Sequence, residues 1–568
     1  MLTLTHDQDT TFDRHSGAAL DVRGVSQELG GQRTLHRVSF TVEPGEVVAI
    51  AGGSGSGKTS LLEALVGLRP ISEGRVFVHG RPADDTLRRS GTGFVPQDDI
   101  IHPDLPLRQT LLHTAALRLP AGTPQAELES VVDHTLSRLD LTSRADLAVR
   151  SLSGGQRKRA SIGAELLIEP SMFLLDEPTS GLDPATSADV MDQLHRLAAT
   201  GTAVVLTTHS PTDLLRCDRV VFLAREGHVA FIGTAAEACA YFAVADLTGV
   251  YEALAASDDP AGMARHFDLH RTRAALAAPS PLQAPRATAP ALQPKTPTRW
   301  ARQWRAVTKR SLALLTHNRL TLAILIGSPA MVVGMMALLF RPGTFAANAP
   351  SAMPAIQTLF WIAFASFFFG LTYGLLQVVG EFEIFRRERL SGLRVSAYVA
   401  AKLSVLAPLL VGVNIAMLGI LRGLDRLPAL PARQWGELLL TLVLISLAAV
   451  AMGLLASSAV RDAAQATLAL PMMCFPQVLF AGAVVPLAEM AGAGRAMSYV
   501  LADRWGFEAL GRTLGLDATA AGDATTSSYV EAFSGTPATA WLVLSAITAF
   551  AVVATTAVLE RRSRPLSG

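Results

Sequence analysis

Six stretches of this 568-residue chain carry no charged residue, and all six lie beyond residue 319. They are Leu320–Phe340, Leu359–Val379, Leu403–Leu421, Leu438–Val460, Ala463–Leu487 and Trp541–Leu559. Each has about the 20 residues that a helix needs to cross roughly 30 Å of hydrocarbon. One central charge costs on the order of 3 kcal/mol even on a lenient insertion scale. Six clean runs therefore predict six membrane-spanning helices rather than buried helices of a soluble core. Ahead of them, Trp300, Trp304, Val307, Ser311 and Leu315 recur at helical spacing, while Arg302, Arg305, Lys309 and Arg310 fall mostly elsewhere on the wheel. That pattern predicts an amphipathic helix over 300–317, lying at a membrane surface.

The first half of the chain has another character. Half of all residues are hydrophobic, 17% are charged and mean hydropathy is +0.33, values between a soluble enzyme and a pure membrane protein. Residues 20 to 245 read as a soluble α/β domain: short apolar strands (Val47–Ala51, Met172–Leu175, Ala203–Thr207) alternate with helical stretches and Gly or Pro punctuation. A hairpin is expected from Val220–Leu223 to Val229–Ile232, turning at Arg225-Glu226-Gly227. Residues 246–298 lose the pattern and become rich in Ala and Pro toward their end, which predicts a linker. The expected division is 1–245, 246–298 and 299–568. Net charge is +1, which gives no reason to expect nucleic acid. Cys217, Cys239 and Cys474 show neither pairing nor metal-ligand spacing and read as inert thiols.

Orientation follows from basic residues. The polar start, Met1 to His15, lacks the basic and apolar regions of a signal peptide, so the soluble domain is expected in the cytoplasm. That places Arg302 to Arg319, Arg386, Arg387, Arg389, Arg394, Arg461, Arg561, Arg562 and Arg564 inside. Arg341, Arg422, Arg426 and Arg433 fall outside, the last three against the bias.

Within the soluble half, Gly52-Gly53-Ser54-Gly55-Ser56-Gly57-Lys58-Thr59 fits the phosphate-loop pattern G-x-x-x-x-G-K-[ST]. An apolar strand precedes it and a helical run follows, so its N–H groups would meet phosphate oxygens at the positive end of a helix. Lys58 would neutralise the outer phosphates, and the Thr59 hydroxyl would ligate Mg²⁺. A second apolar strand, Met172–Leu175, delivers Asp176 toward Mg²⁺ and Glu177 toward a water; for phosphoryl transfer one well-placed base suffices.

Leu152-Ser153-Gly154-Gly155-Gln156, lying between those two elements, is similar to the signature of ABC-transporter ATPases. Gln97 in Phe94-Val95-Pro96-Gln97-Asp98-Asp99, Ser180-Gly181-Leu182-Asp183 and His209 after Thr207-Thr208 resemble that family's glutamine loop, D-loop and switch histidine. The resemblance implies an α/β P-loop NTPase domain of ABC type, with a helical subdomain, followed by an all-α six-helix transmembrane domain. It implies ATP as the nucleotide, with Mg²⁺ held by Thr59, Gln97 and Asp176. Glu177 would act on water, and His209 would contact the γ-phosphate. Ser153, Gly154, Gly155 and Gln156 would complete the site of a second subunit, which makes a dimer the working unit. Glu177 and His209 are both present, so two copies of this chain would give two competent sites; a related half-transporter is the alternative partner. One departure stands out: where the family usually has an aromatic ring to stack on adenine this chain has Leu29, and no Phe, Tyr or Trp lies between Asp13 and Phe40. Weaker base selectivity or a higher KM for ATP is expected.

Domain order, ATPase first and six spans last, resembles the ABCG or White-type half-transporters and their bacterial relatives. So do Val95-Pro96-Gln97-Asp98-Asp99-Ile100, the run Gln156–Gly163 and Phe385-Arg386-Arg387-Glu388-Arg389. The mixed charges Glu381, Glu383, Arg386, Arg387, Glu388 and Arg389 suit a coupling loop that docks on the ATPase by ion pairs. Trp505-Gly506-Phe507-Glu508, in the long 488–540 loop, resembles the external re-entrant region of that branch. Asn414, Pro471, Pro476 and Gln477 interrupt spans, where such residues line a pathway or satisfy neighbouring helices. With no charge in any span, the expected substrate is apolar or amphipathic. The reading is an ATP-driven exporter in a bacterial inner membrane; the alternative is a membrane-anchored ATPase that senses or regulates without moving a solute.

Overall fold

The computed structural model describes residues 17–83, 92–120, 122–277, 300–317, 319–345 and 351–563. The chain divides into two compact units, with the boundary between residues 297 and 298.

The first unit is built on two sheets. Strands β1 (Leu20–Leu29), β2 (Gln32–Val42), β4 (Glu73–Val78) and β5 (Arg81–Pro82) form an antiparallel sheet in the order β2-β1-β4-β5. Strands β3 (Val47–Gly52), β6 (Thr92–Val95), β7 (Met172–Leu175), β8 (Ala203–Thr207), β9 (Arg219–Leu223) and β10 (Val229–Gly233) form the second, ordered β10-β9-β3-β8-β7-β6. Every pairing in it is parallel except the β9–β10 hairpin. Strands β3, β7 and β8 are buried along their whole length, as expected of parallel strands covered on both faces, and this is why they read as unbroken apolar runs.

Register then positions the chemistry. Ile50 lies opposite Thr207, Leu175 opposite Leu206 and Val95 opposite Leu175. The segments after β3, β6, β7 and β8 therefore leave the sheet at one edge, the carboxyl edge where open α/β sheets bind ligands. Helices α1 (Lys58–Val66), α2 (Leu107–Arg118), α3 (Gln125–Arg138), α4 (Gly154–Leu166) and α5 (Pro184–Ala198) complete this part.

The expected linker is a correction. Helix α6 (Leu247–Ala256) and the helix Pro260–Ala277 belong to the first unit, and Leu247, Val250, Leu254 and Phe267 are buried in its core. Leu247, Val250 and Leu254 recur at i, i+3 and i+7 and make one helical face, which the Ala-rich composition disguised. Residues 278–299 lie outside the described residues.

The second unit is helical: α7 (Trp300–His317), α8 (Arg319–Leu339), α9 (Met353–Leu375), α10 (Phe382–Leu390), α11 (Val395–Gly423), α12 (Ala432–Ala459), α13 (Ala463–Phe480), α14 (Ala502–Leu514) and α15 (Ala538–Ser563), with shorter helices between. Among the described residues five segments, Met353–Arg389, Val395–Gly423, Ala432–Ala459, Ala463–Phe480 and Ala538–Ser563, are long and apolar enough to cross a membrane. Helix α8 covers the remaining uncharged run. Small residues let α9 and α12 approach closely: a Cβ on Gly370 would sit 2.4 Å from the Ser446 carbonyl oxygen, and one on Gly374 2.6 Å from that of Val450. Asn414 of α11 is fully buried; Ser366 Oγ donates to its Oδ1 at 2.7 Å and its Nδ2 donates to Ser446 Oγ at 3.0 Å. Of the two roles open to it, Asn414 takes that of joining three helices.

Three expectations about this unit change. The fifth uncharged run does not stay helical to Leu487: α13 ends at Phe480, and Gly482 follows at φ +92°, a conformation that breaks the helix. Arg310 is not on an exposed polar face of α7 but 2% exposed, ion-paired with the buried Glu388 of α10. Helix α7 instead packs on α11, where Trp300 and Trp304 donate to Ser396 and Ser404 and Gln303 bonds the Gly392 carbonyl and the Arg394 N–H. The coupling loop loses two of its docking charges in the same way, because Glu388 is bound to Arg310 and Glu381 to Lys402 and the Tyr398 hydroxyl. Alternating signs were visible in the sequence; their burial was not.

Candidate active site

The phosphate loop runs from the end of β3 into α1. Gly52 has φ +152°, and a Cβ there would lie 2.3 Å from the Leu223 carbonyl oxygen, so only glycine can end β3 beside β9. Lys58 Nζ donates to the Gly52 and Gly53 carbonyls at 2.9 Å each, arching over the loop. Burial lowers its pKa, while the carboxylates of Glu177 and Asp176 act to raise it. A cavity of about 760 Å³ opens here, its wall including Gly52, Gly53, Ser54, Gly55, Gly57, Lys58, Thr59, Glu177 and His209. Ser56 is not in that wall; it is buried beneath the loop.

Asp176 and Glu177 follow β7 and diverge. Asp176 is 5% exposed, and its Oδ1 accepts from Thr207 Oγ1 at 2.5 Å and from Thr59 Oγ1 at 3.3 Å. Glu177 takes the left-handed conformation, φ 44°, which for a non-glycine residue costs roughly 1–2 kcal/mol. Its N–H donates to Thr207 Oγ1 at 2.9 Å, so one hydroxyl orients both acids. The twist turns its carboxylate into the cavity wall, where Gln97 Nε2 donates to Oε2 at 3.2 Å and His209 Nδ1 lies 3.4 Å from Oε1. Gln97, Glu177 and His209 thus meet, as do Thr59 and Asp176. Adjacent hydroxyl and carboxylate oxygens are the hard donors that suit Mg²⁺.

Ser153, Gly154, Gly155 and Gln156 do not line the cavity. They begin α4 as a capping box: Gln156 N donates to Ser153 Oγ at 3.3 Å, and Ser153 N to Gln156 Oε1 at 3.0 Å. Ser153 is exposed. Asp183, also exposed, caps α5: its carboxylate accepts from the N–H groups of Ala185 and Thr186 and from Thr186 Oγ1, which lowers its pKa. Leu29 is half-buried and does not line the cavity.

Several supporting residues escaped sequence reasoning. Lys158, buried on α4, donates to the Pro96 and Gln97 carbonyls at 3.1 and 2.8 Å and so ties the signature helix to the glutamine loop. Burial lowers its pKa, against the pull of Asp99. Buried Asp213 accepts from Thr179 and Thr208 at 2.6 and 2.9 Å, bracing the segments that carry Glu177 and His209. Tyr251 brings an aromatic ring to the cavity from α6, inside the expected linker. No local motif announces it; only the helical face of α6 could have. Cys217 fits the inert reading, its thiol pushed up to about 12, mainly by burial.

Residues 35–180 match the ABC transporter family and residues 302–513 the ABC-2 type transporter family. Over 527 residues the chain is 32% identical to an ABC transporter ATP-binding/permease protein of Mycobacterium tuberculosis, covering 90% of this chain and 59% of that protein. It is 42% identical to ABC transporter G family member 14 of Arabidopsis thaliana over 39% of this chain and 36% of that one. With ATP-binding cassette sub-family G member 8 of Homo sapiens it shares 36% identity over 38% of this chain and 33% of that one. The chain therefore spans less than two thirds of each of these relatives. A phosphate loop, paired acids and a signature helix on one sheet edge, followed by a helical unit, thus accompany an ABC transporter domain over residues 35–180 and an ABC-2 type transporter domain over residues 302–513, an arrangement similar along 90% of this chain to the ATP-binding/permease protein of Mycobacterium tuberculosis.

Proposed function

We propose that this chain is half of a dimeric exporter driven by ATP hydrolysis, moving an apolar or amphipathic substrate across or out of a bacterial inner membrane, with the ATPase unit on the cytoplasmic side. The observation that carries the reading is the Glu177 carboxylate, turned into the wall of the phosphate-loop cavity between Gln97 and His209. In the proposed reaction the loop Gly52–Thr59 holds the triphosphate and Lys58 balances its charge. Glu177 takes a proton from the water that attacks the γ-phosphorus, the bond to the β-phosphate oxygen breaks, and ADP and phosphate leave. His209 steadies Glu177 and the γ-phosphate. Mg²⁺, held by Thr59, Asp176 and Gln97, would supply charge neutralisation of the phosphates. Ser153 is exposed, Gly154 and Gln156 are part-exposed, Gly155 is buried against Thr186, and none of the four lines this chain's cavity, which supports their acting on a second copy. Asp183 sits at the next helix start and would meet the same interface. Helices α8, α9, α11, α12, α13 and α15 would carry the substrate path.

The test is ATP turnover by the lipid-reconstituted chain beside Glu177→Gln, against a panel of lipids and amphipathic compounds. A fall of roughly 10²-fold or more in the variant is expected, with stimulation of the wild type by one compound class. Unchanged turnover in the variant would remove Glu177 as the base. Glu177-dependent turnover indifferent to every compound would favour an anchored ATPase with a sensing or regulatory role.

A further inference from the structure

His36 of β2 and His228, immediately before β10, face each other across an isolated parallel bridge. Their rings are stacked, with centroids 4.0 Å apart and planes 13° from parallel. The turn before His228 makes this possible. Gly227 has φ +74°, and a Cβ on it would lie 2.2 Å from the Thr34 carbonyl oxygen, so only glycine lets the turn rest on β2. Glu226, exposed and left-handed at φ 61°, completes the group: a ligand atom from each of His36, Glu226 and His228 lies within 4.8 Å of the others. Among the described residues no other set of three His, Cys, Asp or Glu side chains meets that condition. Both rings are half-buried, and neither makes a hydrogen bond to a described residue.

We propose that His36, Glu226 and His228 form a binding site for a borderline divalent cation such as Zn²⁺, and that its occupancy changes nucleotide affinity. Two imidazole nitrogens and a carboxylate oxygen are the donor set of an open zinc site, with a fourth position left for water. Around a tetrahedral ion, bonds of about 2.0–2.2 Å place ligand atoms about 3.3–3.6 Å apart. Stacked rings direct their in-plane lone pairs side by side, so closure onto one ion takes a turn of the two imidazoles out of the stack together with rotation of the exposed Glu226. Mg²⁺ prefers oxygen donors, so this site is chemically distinct from the one at Thr59 and Asp176. The coupling is geometric: Glu226 itself lines the nucleotide cavity, together with Gln32, Arg33 and Thr34 of β2. An ion held by His36, Glu226 and His228 would tie that strand to the turn and fix the carboxylate at the cavity wall.

The test uses the full chain without a histidine tag, in lipid nanodiscs and stripped with EDTA. Zn²⁺ is titrated against a chromophoric chelator and Co²⁺ by its visible absorption, in the wild type, His36→Ala, His228→Ala, Glu226→Gln and the control His266→Ala/His270→Ala. About one equivalent is expected in the wild type, with affinity lower by on the order of 10-fold or more in each of the first three variants and unchanged in the control. Glu226→Gln is a surface change that keeps the fold, so the test survives if a histidine variant does not express. Zn²⁺ should also shift the Kd of a fluorescent ATP analogue in the wild type and not in Glu226→Gln. Equal Zn²⁺ binding by wild type and Glu226→Gln, binding lost only in the control, or an unshifted analogue Kd at saturating Zn²⁺ would each overturn the proposal. None of these readouts needs turnover, so failure here is separable from failure of the hydrolysis reading.

Discussion

A Cβ added to Gly155 would lie 2.1 Å from Thr186 Cγ2, far inside contact distance. Thr186 cannot simply turn away, because its hydroxyl and its N–H both bond the Asp183 carboxylate at the start of α5. A signature glycine and the D-loop cap are thereby locked together within one chain, whatever either does to nucleotide. Gly155→Ala should cost roughly 1–3 kcal/mol, the usual range for overpacking a tight contact. Thr186→Ser removes the offending methyl and keeps the hydroxyl, so Gly155→Ala/Thr186→Ser should recover most of the lost melting temperature, while Thr186→Ser alone changes little. Thermal unfolding of the four proteins decides it; no recovery in the double variant would mean the strain lies elsewhere. At this scale the site was legible where its chemistry is contiguous, as in Gly52–Thr59 or Asp176-Glu177. It was illegible where a residue acts through the register of distant strands or helices. Thr207 orients Asp176 and Glu177 only because β8 pairs with β7, and Lys158 reaches the Gln97 carbonyl only because α4 packs beside the end of β6.

Charges packed between helices dominate the element scale. Periodicity located the helices, since apolar runs and helical faces are properties of one segment. It could not tell which charged residues of α7 and α10 point inward, because that depends on a partner helix. Arg310 and Glu388 show the consequence: both side chains are nearly inaccessible, at 2% and 4%, and they bind each other. Removing one member of such a pair strands the other in a low-dielectric interior, at a cost of about 3–5 kcal/mol, whereas replacing both with apolar groups of similar volume is often neutral. Arg310→Met and Glu388→Met should therefore each lower the unfolding temperature in nanodiscs more than Arg310→Met/Glu388→Met does. Single variants that melt with the wild type would show the pair to be solvated and would return Arg310 to the polar face that its sequence pattern suggests. The same comparison bears on coupling, because a bridge from α7 to α10 makes those two helices one rigid part of the second unit.

For the whole molecule the decisive question is whose signature completes whose site. In this chain Lys58 lines the nucleotide cavity and Ser153 does not, although both belong to the first unit. If each site joins the phosphate loop of one copy to the signature of the other, paired lesions behave in a way that no single-chain site can imitate. A dimer of one Lys58→Ala chain and one Ser153→Arg chain concentrates both lesions in one site and leaves the second, with its intact Lys58 and intact Ser153 from opposite chains, whole. A dimer of one wild-type chain and one chain carrying Lys58→Ala/Ser153→Arg has a lesion in each site and none whole. Sites built within single chains predict the reverse: the first dimer dead, the second half alive. Differently tagged chains, co-expressed and purified through both tags, isolate the mixed dimers for ATP turnover in lipid. The expected result is turnover in the first mixture above that of either parent homodimer, and turnover near background in the second. Activity confined to the second mixture would assign each site to one chain, and Ser153 to a structural cap of α4 with no part in the partner's site.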